Sequence, residues 1–467
     1  MFHVSGLQGL YFRALFRTSV PAAPLRRVPA AALALGACLA LLAAPVRAAV
    51  IVVAADGSGD YTTLIAAAMA AVDGDTLLVR PGTYGNLTVG VSKSITVTSD
   101  GTGPVVLNGY VAVLNQLAGK TVVISGLTAK GVVGSGGPVQ GHGFLAVNCA
   151  GSVRVQNCDF TGAAGDPDGW KVNSSFQMQI TGHAAGWHAA LVQNCSGTVS
   201  FNDCSFTGGT AAYMASYPDP DCGCTFGEPG GDALHVLAGT VALTDCEGEA
   251  GYGATADREG GLGGSAVNVV SGQAVLSGCD FEGGNGGGAF DFLGEVFGGD
   301  GGSGVLAAAG ADVMLLDNEL LGGAGGASLS GDVGAPGEAI GGAGGQDVVI
   351  FSGASRHLGI TAPAYVGGNV SLTLDGTPGD LFLLQVSAGN AWLPTSKFHG
   401  VVSVALPALG LALGTLPASG QLVLTAPVPA IAPLAALNVY LQAFGGSAAD
   451  ASVTGESVLL LLDPAGL

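Results

Sequence analysis

The sequence predicts an all-β protein: a parallel β-helix solenoid behind an N-terminal capping helix, followed by a small C-terminal β-sandwich. Three observations carry this expectation. A glycine-bounded segment recurs, an alternating apolar pair follows each copy, and the composition changes near residue 352.

The repeat comes first because a missed repeat misreads a whole fold. Residues 231–239 (GDALHVLAG) align without gaps to 264–272 (GSAVNVVSG), 302–310 (GSGVLAAAG) and 337–345 (GEAIGGAGG), with earlier copies at 143–151 and 189–197. After them come Val153/Val155, Val199/Phe201, Val241/Leu243, Ala274/Leu276, Val313/Leu315 and Val348/Ile350. A period of two marks a strand with one face in a core. Successive copies start 46, 42, 33, 38 and 35 residues apart, and the variation falls in glycine-rich stretches after the second strand. A constant two-strand unit with variable loops at one corner suits stacked coils, which accept insertions only at turns.

Composition narrows the classes further. Of 467 residues 81 are glycine, while only 10% are charged and 6% aromatic. With a mean hydropathy of +0.52 the chain is too apolar to stay disordered. No acidic residue precedes position 49, so the rest carries nine basic against 34 acidic residues, a net of −25. Nucleic-acid binding relies on clustered basic side chains, so that partner is excluded.

Residues 1–48 read as a cleaved export signal: basic residues to Arg27, an apolar run from Val28 to Ala44, and Val46-Arg47-Ala48 at the cleavage position. Leu35-Gly36-Ala37-Cys38 is a lipoprotein-like alternative. The mature chain is expected to begin at Ala49, to be secreted or displayed at the cell surface, to carry no transmembrane span and to act as a monomer. The solenoid is then assigned to residues 49–351 and the sandwich to 352–467.

At its start, Leu64, Ile65, Ala68, Met69 and Val72 share one helical face, Asp73-Gly74 ends the helix, and a strand at 76–80 precedes Pro81-Gly82. A covering helix is what the open first coil of a solenoid requires. The segment DGSGDYTTLIAAAMAAVDGDTLLVRPGTY resembles the N-terminal cap of the pectin-lyase-like right-handed parallel β-helix superfamily, which includes pectinesterases, pectate lyases and polygalacturonases. The resemblance covers roughly residues 50–350 and implies a right-handed coil, the sense of nearly all parallel crossovers. It implies chemistry only weakly, since one scaffold serves many functions. Beyond residue 352, short alternating segments (370–374, 380–386, 401–406, 421–424, 437–443 and 457–462) suggest a sandwich of the kind found on large exported bacterial proteins.

Six cysteines recur at two repeat positions: Cys149 and Cys195 at one, and Cys158, Cys204, Cys246 and Cys279 at the other, where Asn318 follows. A buried ladder of small side chains is the preferred reading, with disulfides between coils and a metal or redox site as alternatives. Cys222 and Cys224 lie off the repeat, in a loop.

The first two inserts hold the richest chemistry. Trp170, Trp187, Tyr213 and Tyr217 are candidate carbohydrate-stacking residues, and Asp219, Asp221 and Glu228 a candidate calcium set. If the chain is an enzyme, Asp166, Asp168 and Lys171 are the catalytic candidates. Between residues 143 and 350 the only other basic side chains are Arg154 and Arg258, and none lies in a lyase motif. Gly141-His142-Gly143 echoes the polygalacturonase Gly-His-Gly without its companion motifs, so His142 is read as a turn residue. Residues 291–295 echo a pectinesterase motif only superficially. His235, at a strand position, is read as a packed side chain. The expected role is therefore non-catalytic binding of extracellular polysaccharide or display at the cell surface. A polysaccharide lyase or glycoside hydrolase and a structural surface spacer are the alternatives.

Overall fold

A computed structural model describes residues 48–90, 92–133, 141–166, 170–172, 178–180, 185–212, 226–290, 296–329, 332–342, 348–395, 397–429, 435–447 and 450–464. The described residues form two compact units, one of 48–352 with 435–438 and 460–464, the other of 353–429 with 439–459.

The first unit is a parallel β-helix with three sheets. Sheet 1 has ten strands, from Val50–Val53 to Val348–Phe351; sheets 2 and 3 have eight each, starting at Gly82–Tyr84 and Leu87–Val89. Each coil visits sheets 1, 2 and 3 in turn, and all pairings between coils are parallel. The six apolar pairs lie in register on sheet 1, from Val153 beside Val199 to Leu315 beside Ile350. The side chains of the first five pairs form the core, with Val348 packed against its end, together with a phenylalanine column on sheet 2. Phe160 stacks 6.0 Å from Phe206, and Phe281 sits 6.4 Å beyond it. Gly248 is the intervening rung, and a Cβ there would lie 2.6 Å from the Phe281 ring.

Two sequence expectations need correction. The repeat unit has three strands, because each coil adds a strand of about three residues on sheet 2, too short to display alternation. The two earlier copies are also displaced by two residues: Phe144 pairs with Ala190 and Ala190 with Leu234, the fourth residue of its copy. The turn from sheet 3 to sheet 1 is two residues longer in those coils and contains Asn148 and Asn194 at positive φ. The corner from sheet 1 to sheet 2 uses Asn157, Asp203, Asp245, Gly278 and Asp317, all left-handed, a conformation these residue types tolerate best.

Helix α1 spans Leu64–Ala70 and packs near the first strand of sheet 3, with Thr63 capping it by accepting from Ala66 N–H at 3.4 Å. Its buried face is Leu64, Ala67, Ala68 and Ala71, whereas Ile65, Met69 and Val72 are exposed. The close approach to the coil selects the alanine stripe over the larger side chains. The chain then turns through Asp75, which accepts from Ala49 and Val72 N–H at 2.8 Å each.

Where they are described, the glycine-rich inserts are regular. After sheet 2 each later coil sends out an extended segment and returns with an antiparallel one before sheet 3. Gly264 N–H donates to Gly251 O and Gly261 N–H to Ala254 O, three residues apart. Gly284 and Gly287 donate in the same way to Gly264 and Gly261, and Gly302 and Gly299 to Gly284 and Gly287. Neighbouring coils repeat the period, with Ala250, Gly253 and Ala256 donating to Glu282, Asn285 and Gly288. Three residues per turn without internal bonds is polyproline II geometry. Of each three residues, one bonds along its layer, one across to the other layer, and one points outward. At the glycines of the first two kinds a side chain has no room: a Cβ on Gly287 would lie 1.9 Å from Ala254 O, and one on Gly302 1.7 Å from Gly264 O. The inserts thus satisfy their buried backbone by lateral pairing.

From residue 353 the pairing becomes antiparallel. A three-stranded sheet joins His357–Ile360, Asn369–Asp375 and Gln421–Pro427, and a six-stranded sheet includes Leu381–Ser387 and Ala436–Gly446. Val370, Leu372, Leu374, Phe382, Leu384 and Val386 are buried with the alternation of a sandwich. Arg356 is 1% exposed and is compensated by Asp380 at 2.8 Å and Asp450 at 3.0 Å. Burial alone would raise Asp450, but the Arg356 guanidinium holds it below the ordinary carboxylate range.

Candidate functional site

The stacking of coils builds a polar column at the entry to sheet 3. Counting back two residues from Phe144, Ala190, Leu234 and Val267 gives His142, His188, Asp232 and Ser265. The column is hydrogen-bonded rung to rung. Asp232 N–H donates to His188 Nδ1 at 2.9 Å, and Ser265 N–H donates to Asp232 Oδ1 at 2.8 Å. His142 Nδ1 meets His188 O at 3.2 Å and therefore carries its proton there. His235 projects beside the column, its Nδ1 against Asp232 Oδ2, which also accepts from Asn268 Nδ2 at 3.1 Å. The rings of His142, His188 and His235 stack at centroid distances of 5.4 and 4.4 Å, each pair 15° from parallel. Asp232 is buried, whereas His188 and His235 are partly open to solvent. A buried carboxylate with fixed donors, flanked by two imidazoles, can hold a proton or a cation in a defined place.

Trp187 borders this group, with its ring edge-on to His142 at 5.0 Å. Its N–H donates to Ala163 O and its carbonyl accepts from Gly209 N–H, so its backbone belongs to the glycine array. The side chain covers Gly141, whose φ is +95° and whose Cβ would meet the indole at 2.1 Å. Trp187 therefore closes the array over its first glycine.

A second feature runs along sheet 2. Asp159, Ser205, Glu247, Asp280 and Glu319 lie in one register column, flanked by the corner residues Asp203 and Asp245. All of these except Glu319 line a shallow cleft of about 390 Å³. Behind them the recurrent cysteines are buried and free. Burial pushes Cys158 up to about 12 and also raises Cys204, Cys246 and Cys279. Asn318 ends this ladder by accepting from Cys279 N–H at 2.9 Å.

Among the other site residues expected from sequence, Asp166 is partly buried beside the array, and Glu228 lies in a return segment where its carbonyl accepts from Ala254 N–H at 2.9 Å. Trp170 and Lys171 belong to a strand, Trp170–Val172, paired antiparallel with Met178–Ile180. Asp168, Tyr213, Tyr217, Asp219 and Asp221 lie outside the described residues, as do Cys222 and Cys224. Asp232 went unrecognised from sequence because the two-residue displacement set His142 and His188 opposite Gly230.

No protein-family model matches the chain, and no curated protein matches it. Among solved structures it is similar to pectin methylesterase PemA from Erwinia chrysanthemi, at 13% identity over 66% of this chain and 94% of that chain, with a TM-score of 0.26. It is also similar to the enzymatically active domain of bacteriophage CBA120 tailspike protein 4, at 12% identity over 82% of this chain and 64% of that chain, with a TM-score of 0.17. Likeness of that degree carries no chemistry, and the fold rests on the pairing of the sheets themselves.

Proposed function

We propose that the chain is an exported, non-catalytic protein that binds extracellular polysaccharide, with residues 1–48 removed, residues 49–351 as the binding solenoid and residues 352–467 as an accessory module. The supporting observation is the outer face of the glycine array. Phe226, Glu259, Phe297 and Asp332 are neighbours in successive coils, placing rings and carboxylates in alternation along one column. Phe297 is 44% exposed, as is Tyr252 on the other layer. Exposed rings stack on the apolar faces of sugars, carboxylates accept hydroxyl hydrogens, and a backbone array without side-chain freedom loses little entropy on binding. Trp170, Tyr213 and Tyr217 of the inserts would extend this surface, and Asp219, Asp221 and Glu228 would supply calcium ligands where an anionic glycan needs a bridging cation.

Affinity electrophoresis of the mature protein through gels containing neutral and acidic polysaccharides, with and without Ca²⁺, tests the reading. Retardation by at least one polysaccharide is expected, weakened about fivefold or more in Phe297→Ser, with no release of reducing or unsaturated ends. Migration unaffected by every polysaccharide would leave the spacer role. Release of unsaturated ends would make the chain a lyase.

A further inference from the structure

We infer that His188, Asp232 and His235 form a binding site for a divalent transition-metal ion of the zinc or copper type. This inference is independent of the polysaccharide reading. One donor atom from each residue lies within 4.8 Å of the other two. His188 Nδ1 stands 3.5 Å from Asp232 Oδ2, and His235 Nδ1 touches the same oxygen. Ligands bonded at about 2.0–2.2 Å in a tetrahedral shell stand roughly 3.4 Å apart, so His235 needs to draw back and the two stacked rings to turn until both Nδ1 lone pairs meet the ion. Two imidazoles and one carboxylate suit zinc, copper or nickel, whereas calcium and magnesium prefer oxygen donors alone.

The surroundings are those of a prepared site. The Asp232 N–H donates to His188 Nδ1, which leaves that nitrogen unprotonated, and ion binding exchanges this hydrogen bond for the bond to the metal. Ser265 N–H and Asn268 Nδ2 hold Asp232 from the next coil, the supporting hydrogen bonds that orient metal-binding carboxylates. His142 Nδ1 donates to the His188 carbonyl and so braces that rung. On binding, the proton that His235 Nδ1 holds against Asp232 Oδ2 leaves that nitrogen for Nε2 or for solvent. His188 comes from one coil and Asp232 with His235 from the next, so the ion would staple two rungs of the solenoid.

The test uses the full mature chain without an affinity tag, titrated with Zn²⁺ by calorimetry and with Co²⁺ by visible absorption. One equivalent is expected to bind with a tetrahedral or five-coordinate cobalt spectrum, and Zn²⁺ should raise Tm. His188→Ala, Asp232→Asn and His235→Ala should each weaken binding about tenfold or more, while His399→Ala, outside the group, should leave it unchanged. Where an alanine variant misfolds by circular dichroism, His235→Gln takes its place. Absence of stoichiometric uptake by the native chain, or uptake unaltered in both His188→Ala and His235→Gln, overturns the assignment. A Ca²⁺ titration that displaces Co²⁺ would overturn it too, since the donor set should not hold calcium.

Discussion

The coil walls and the glycine array share one stacking repeat but are held together in opposite ways. In the walls, backbone pairing sets the register and branched side chains supply the stability: the columns from Val153 to Val348 and from Phe160 to Phe281 are almost wholly buried. In the array the bonded positions are mostly glycine and the backbone itself is the packing material, with carbonyls where a glycine Cβ would stand. The same spacing of about 4.8 Å between rungs therefore favours large residues in one region and chiefly glycine in the other.

The sharpest way to separate the two regions is to exchange their requirements. Phe206→Ala opens a cavity between Phe160 and Phe281 and should cost about 3–5 kcal/mol, read as a lower urea midpoint of the helix unit. Gly287→Ala adds a single methyl group to the array and should cost about 1–3 kcal/mol by overpacking against Ala254 O. Ala324→Ser, on the outward third of the same array, should change stability by less than about 0.5 kcal/mol. Equal effects of the last two would mean that the array is not close-packed.

Much of the wall was legible in the sequence because period-two alternation survives when coils are stacked in register. Val153, Val199, Val241, Ala274, Val313 and Val348 could be aligned by eye. Sheet 2 was not legible, since strands such as Glu247–Glu249 are too short to show a period. The array was hidden for a different reason. Its period is three, its signal is absence of side chains, and segments such as 283–289 read as low complexity until their lateral bonds are seen. The polar column at His142, His188 and Asp232 was lost to a two-residue change in turn length, and Asp232 proved to be the residue that ties the histidines together. For the cysteines, the buried-ladder reading holds for the six that are described.

A smaller effect sharpens the comparison through pH. The thiols of Cys158, Cys204, Cys246 and Cys279 are raised by burial from an ordinary value of 9.0, Cys158 to about 12. Unfolding exposes thiols that ionise at the ordinary value, so this contribution is complete below about pH 9 and is lost as pH climbs toward 12. Thermal melts of the native chain should show Tm falling across that window. A Cys158→Ala, Cys204→Ala, Cys246→Ala, Cys279→Ala variant should lose the part of the fall that the ladder causes. Among the described residues the array holds no thiol at its bonded positions and should add nothing to this dependence.

Residue-resolved hydrogen exchange across 250–304 tests the central contrast most directly. Amides of Gly251, Gly264, Gly284 and Gly302, and of their partners three residues away, should be strongly protected, while Tyr252, Leu262 and Asn285 between them exchange fast. Uniformly fast exchange throughout these inserts, with protection confined to the three sheets, would contradict a glycine array built from its own backbone.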